Sequence, residues 1–265
     1  MSASTLPTLA ERVRPVAWAG EQLLAVEDCL APLLPRAGLV RGSVVGVGGP
    51  LAVTSLAMAL VARAMRAGSW VAVVGLERLG LTAVEELGVP LERLVLVAAP
   101  EPAHWAATVA ALVEGFDVVL AGPPARVRPV EARRLQARVR ERRSLLVQVG
   151  WPPHRWPEEQ ELAFTVARAH WEGIGAGWGH CRARRVEVVS RGRRSADRPR
   201  SRWMWLPGPG GGIADADVPD LVDSAAPTQA PLRFPSRLRA PARHRDIPAA
   251  PGRHLDIVGV GGGQR

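Results

Sequence analysis

Lysine, asparagine and tyrosine are absent from this chain, so all 34 basic residues are arginine. That pattern suggests a GC-rich genome, and a net charge of +9 then carries little information about partners by itself. Cysteine is nearly absent too. Cys29 and Cys181 cannot build a disulfide framework, and no Cys-x-x-Cys or His-x-x-x-His spacing suggests zinc. The adjacent His180 and Cys181 supply too few ligands for a metal site, so none is expected. No stretch approaches the roughly 18 uninterrupted apolar residues of a membrane span. The first fifteen residues, MSASTLPTLAERVRP, lack the apolar core of a signal peptide. A cytoplasmic protein is the expectation.

Apolar residues make up 47% of 265, enough for one sizeable α/β core with extensions. Charge is unevenly distributed. Residues 1–125 hold eight arginines against eleven acids, residues 126–202 nineteen against eight, and residues 203–265 seven against six. The positive charge therefore concentrates in the later part of the core.

The chain is organised around residues 38–60, GLVRGSVVGVGGPLAVTSLAMAL. A short apolar strand at 43–47 runs into the loop Gly48-Gly49-Pro50, and an apolar helix opens near Thr54 and Ser55 and ends at 66. Further strands are predicted at 70–74, 93–97, 117–121 and 145–149, and helices at 82–87, 104–114 and 129–143. Continuous apolar strands alternating with helices predict a mainly parallel sheet covered on both faces. Residues 162–171 and 182–189 read as a β-pair, and 201–208 as a closing strand with Trp203 and Trp205 on one face. Residues 1–37 read as a helical N-terminal appendage, with Leu23, Leu24, Cys29 and Leu30 at helical spacing and Pro32 as its stop. Residues 38–206 read as the core, and 207–265, rich in Pro, Gly and Ala, as a disordered tail.

A strand, a glycine loop and a helix N-terminus form the geometry that cradles phosphate. The motif that does so is Gly-x-x-x-x-Gly-Lys-Ser/Thr, in which lysine reaches the β/γ-phosphates and the hydroxyl holds magnesium. Counted from Gly48, its last three places hold Val53, Thr54 and Ser55. The first glycine and the last hydroxyl survive; the second glycine and the lysine do not.

These segments, in this order, resemble the ATPase core of RecA-type recombinases. GSWVAVVGLE (68–77) resembles that family's second core strand, which ends in its catalytic glutamate, here Glu77. LGVPLERLVLV (87–97) resembles the segment that follows. FDVVLAG (116–122) resembles the Walker B strand, with Gly122 where the family places its acid. The similarity spans roughly residues 38–206. Within the family the chain resembles the degenerate actinobacterial proteins of the ImuA type, accessory factors of a damage-induced mutagenic replication system.

The resemblance implies a RecA-like P-loop-type core whose nucleotide site, Gly48, Gly49, Val53, Thr54, Ser55, Glu77 and Gly122, is vestigial. It implies a non-catalytic adaptor in SOS-induced mutagenic translesion synthesis, without a cofactor. The implied partners are an inactive Y-family polymerase relative (ImuB-like) and an error-prone replicative-type polymerase, with single-stranded DNA as a further ligand. Two alternatives are an ATP-binding or ATP-hydrolysing RecA-like repair protein, and a cell-division inhibitor built on a RecA-like fold. Candidates for DNA contact are Arg184, Arg191, Arg193 and Arg194 around the second strand of the β-pair. Trp151 and Trp156 join them, in the loop where recombinases contact single strands. The apolar island Leu255, Ile257 and Val258 near the end of the tail is the candidate for docking a partner.

Overall fold

The computed structural model describes residues 23–77, 79–122, 127–150, 156–158, 160–174, 179–192 and 198–217. All of these belong to the first of two units, Met1–Pro219; the second, Asp220–Arg265, lies outside the described residues.

Burial follows directly from the apolar runs. Strands β3 (Val44–Gly48), β4 (Val71–Val74), β6 (Val118–Ala121) and β7 (Leu145–Val149) are buried at every position but Gln148. Strands with no polar face must be covered on both sides. On one side lie α1 (Val53–Arg66) and α2 (Leu81–Glu86). On the other lie α3 (Trp105–Gly115) and α4 (Pro129–Arg142), which contribute Trp105, Val109, Val113, Ala132, Leu135 and Val139. Strand β5 (Leu94–Val97) pairs with β4 at the sheet's edge.

The strands form one nine-stranded sheet in the order β11-β10-β9-β8-β3-β7-β6-β4-β5. From β8 (Leu162–Ile174) to β5 every pairing is parallel. From β8 outward, through β9 (Gly179–Gly192), β10 (Arg200–Trp205) and β11 (Ala214–Asp215), every pairing is antiparallel. The extension alternates as a half-solvated sheet should. Phe164, Val166, Val186, Val188 and Met204 join the α1 core. On the opposite face Arg168 stacks over Trp203 at 5.2 Å and pairs with Glu187 at 2.6 Å. Arg185 stacks over Trp205 at 5.2 Å and pairs with Glu172 at 2.5 Å.

Two expectations are corrected. Within residues 23–34 no α-helix forms: β1 (Leu23–Ala25) pairs antiparallel with β2 (Gly38–Val40), and a 3-10 turn occupies Ala31–Leu33. The turn stops at Leu34, which is extended (ψ 145°) ahead of Pro35, and tertiary contacts fix it to the sheet. Ser190 Oγ donates to the Leu33 carbonyl at 2.6 Å, and Arg200 donates to that of Leu34 at 2.6 Å. Leu24, Cys29, Leu30, Leu33 and Leu34 are buried with α1, so residues 23–37 are part of the core rather than an appendage. Residues 207–217 are likewise folded. Gly212 N–H donates to the Glu86 carbonyl at 2.7 Å, β11 pairs with β10, and Ile213 packs against the core.

Beneath the sheet, at the starts of the strands, Arg41 pairs with Asp117 at 2.9 Å, their side chains 7% and 3% exposed. The other Asp117 oxygen accepts the Trp70 N–H at 3.0 Å. One carboxylate thus ties the β2–β3 turn to the starts of β4 and β6.

Candidate functional site at the glycine loop and strand ends

Parallel α/β sheets present their sites beyond the carboxyl ends of the strands, and here those ends carry Gly48, Gly75 and Gly122. After β3 the chain turns through Gly49, buried and at φ 138°, and Ala52, at φ 57°, into α1. A Cβ on Gly49 would come within 2.8 Å of the Val166 carbonyl oxygen, so the loop is packed against β8. Helix α1 has no side-chain cap, and Val53, Thr54 and Ser55 form its first turn. The strand–loop–helix geometry expected from the sequence is present.

The substituents inside that geometry are different from those of a nucleotide site. Arg184, from β9, donates from Nη2 to Ser55 Oγ at 3.0 Å and from Nε to the Leu206 carbonyl at 2.7 Å. Its guanidinium also lies 4.7 Å from the Trp171 ring. Burial lowers its pKa from the usual arginine value. The hydroxyl that would hold magnesium accepts a hydrogen bond from a cation instead. A magnesium ion bound there would share its ligand with a half-buried guanidinium, an arrangement of like charges that costs free energy.

The acid position is closed by backbone. Gly122 N–H donates to the Val74 carbonyl at 2.8 Å, and Trp105 Nε1 donates to the Gly122 carbonyl at 3.1 Å. A Cβ at Gly122 would collide with the carbonyl oxygen of Gly75, so no side chain fits there without moving β4 away from β6. Glu77 is exposed in the turn after β4. Among the described residues no group of three His, Cys, Asp or Glu side chains is arranged to hold a metal ion.

The three expected DNA-contact residues that are described, Arg184, Arg191 and Trp156, do not converge. Arg184 is committed to Ser55 and Trp171, and not exposed at a strand end; in β9 it is in phase with the inward-facing Val186 and Val188. Trp156 is 6% exposed and packs with α3 and α4, which removes it as a stacking platform. Arg191 is exposed at the end of β9. Trp151, Arg193, Arg194, Leu255, Ile257 and Val258 lie outside the described residues. The Arg184–Ser55 contact was missed at the sequence level. The strand parity of Arg184 with two valines was the available signal for its burial.

The chain matches the family model described as the MT3502 N-terminal domain over residues 32–158. No curated protein matches it. Among solved structures it is similar to the RadB recombinase, at 16% identity and a TM-score of 0.51, covering 72% of this chain and 97% of that one. It is also similar to the flagellar accessory protein FlaH from Methanocaldococcus jannaschii, at 12% identity and a TM-score of 0.49, covering 74% and 99%. The fold is a RecA-like α/β fold. Among the described residues no helix is long and apolar enough to cross a membrane.

Proposed function

We propose that this chain is a non-catalytic RecA-fold adaptor of mutagenic translesion DNA synthesis, of the ImuA type. In that role it holds an inactive Y-family polymerase relative and an error-prone replicative-type polymerase near damaged DNA, and contacts the DNA itself. The observation that carries the non-catalytic part is the double closure of the nucleotide pocket: Arg184 on Ser55, and backbone where the Walker B acid would stand. The adaptor part is carried by the sequence resemblance.

The experiment has three arms. Purified protein is expected to hydrolyse ATP no faster than buffer, with or without DNA; DNA-stimulated turnover that Glu77→Gln abolishes would overturn the non-catalytic reading. Gly122→Asp is expected to lower the melting temperature without creating magnesium-dependent nucleotide binding. Co-purification from DNA-damaged cells is expected to recover the polymerase relative; recovery of cell-division proteins in its place would favour the division-inhibitor alternative.

A further inference from the structure

The solvent side of α4 carries positive charge that the ion pairs among the described residues only partly neutralise. Residues 128–143 contain seven arginines against two glutamates. Three of the seven are paired: Arg128 with Glu131 at 2.6 Å, Arg133 with Glu158 at 2.8 Å and Arg138 with Glu114 at 2.9 Å. Arg134, Arg140, Arg142 and Arg143 are exposed and have no ion-pair partner among the described residues. Because Ala132, Leu135 and Val139 face the sheet, the 3.6-residue period places the arginines on the helix's two exposed flanks. Arg134, Arg138 and Arg142 form one row, and Arg133, Arg140 and Arg143 the other. Between the rows run exposed Val130, Ala137 and Glu141. Arg134 to Arg143 covers about 14 Å of helix.

We propose that this side of α4 binds the phosphate backbone of duplex DNA without regard to sequence. Guanidinium groups match phosphate oxygens in pairs, and the duplex offers about one negative charge per 1.7 Å of its axis. One observation favours duplex over single-stranded DNA. Single strands are held by aromatic platforms on which bases stack, yet α4 itself carries no aromatic residue, and Trp105 and Trp156, which pack beneath it, are 4% and 6% exposed. Helix α4 runs from the end of β6 to the start of β7. Its arginine-rich last turn therefore lies at the opposite edge of the sheet from the Ser55–Arg184 pocket, and DNA contact here is independent of nucleotide. The proposal rests on the DNA-contact part of the function proposed above and names its surface.

The test is fluorescence anisotropy of the full chain with a random-sequence duplex, the matching single strand and polyglutamate, across a salt series. Four phosphate contacts predict a log–log salt slope of about −3.6 on duplex. The variant R134Q/R140Q/R142Q/R143N, with asparagine chosen because Arg143 sits at φ 53°, should flatten the slope and weaken duplex binding at least tenfold, with an unchanged melting curve. R202Q, which removes an exposed arginine on β10, at the other end of the strand order from β6 and β7, should leave the slope as in wild type. If the quadruple variant binds like wild type, the surface is wrong while DNA contact stands. If wild type binds no DNA at all, the DNA part of the proposed function falls with it. Tighter binding of wild type to the single strand or to polyglutamate also overturns the assignment.

Discussion

At the scale of single residues, one group with a pH-dependent role in stability is Cys29. It is 6% exposed, and its thiol is pushed up to about 11, first by burial and then by the negative charges of Asp215 and Glu27. A raised folded-state pKa means the folded chain holds this proton more tightly than the unfolded chain does. The associated stability is complete below about pH 9 and is lost as pH rises toward 11. At 1.36 kcal/mol per unit, the loss approaches about 2–3 kcal/mol. With no lysine or tyrosine in the chain to titrate in the same window, urea midpoints measured at pH 7, 9 and 10.5 isolate it. The midpoint of wild type should fall above pH 9 and that of Cys29→Ala should not; a flat wild-type profile would refute the burial argument. Residue-level chemistry was legible in the sequence where it depended on neighbours in the chain. The loss at the lysine position could be read by counting from Gly48, and the loss at the acid position from the resemblance of FDVVLAG to the Walker B strand. The bond from Arg184 to Ser55 spans 129 positions, and no local pattern encodes a contact between a β9 side chain and the first turn of α1.

Secondary structure was most legible where burial is one-dimensional. The apolar runs of β3, β4, β6 and β7 announce two-sided coverage, and the Ala/Leu/Met run of α1 a helix formed by its own propensities. Residues 23–34 were misread because helical spacing of leucines is equally satisfied by a strand and a turn whose leucines all reach one core. Contacts to Ser190 and Arg200, more than 150 positions away, decide between them. Asp117 is a second case in which sequence names the residue but not its job. It stands just before β6, where a catalytic reading is tempting, but its carboxylate faces the strand starts and Arg41. Removing one partner of such a pair leaves a buried charge, at a cost of about 3–5 kcal/mol. Asp117→Ala should therefore lose about that much in chemical denaturation, and the double variant Arg41→Met/Asp117→Leu considerably less. A loss below about 1 kcal/mol for the single variant would mean that water or a neighbour satisfies Arg41.

For the whole molecule, the open question is where the folded unit ends, and the composition change at Pro207 places that end too early. Gly and Pro in residues 207–212 read as tail, yet they form a turn whose backbone bonds to α2 and delivers β11 to the edge of β10. Glycine supplies the positive φ of 82° and 68° at Gly211 and Gly212 that this turn requires. Truncation after Asp217 and truncation after Gly208 should then behave differently. The longer fragment keeps β11, the Gly212–Glu86 bond at 2.7 Å and the packing of Ile213, and its melting temperature should match the full chain. The shorter one loses all three, a deficit of a few kcal/mol, which at about 2–4 °C per kcal/mol for a domain of this size is resolved by differential scanning calorimetry. If partner docking resides in Leu255, Ile257 and Val258, the longer fragment also fails to capture the polymerase relative although its fold is intact. Full capture by that fragment would move the docking surface onto the folded unit, and a lowered melting temperature would show that residues beyond 217 contribute to the core.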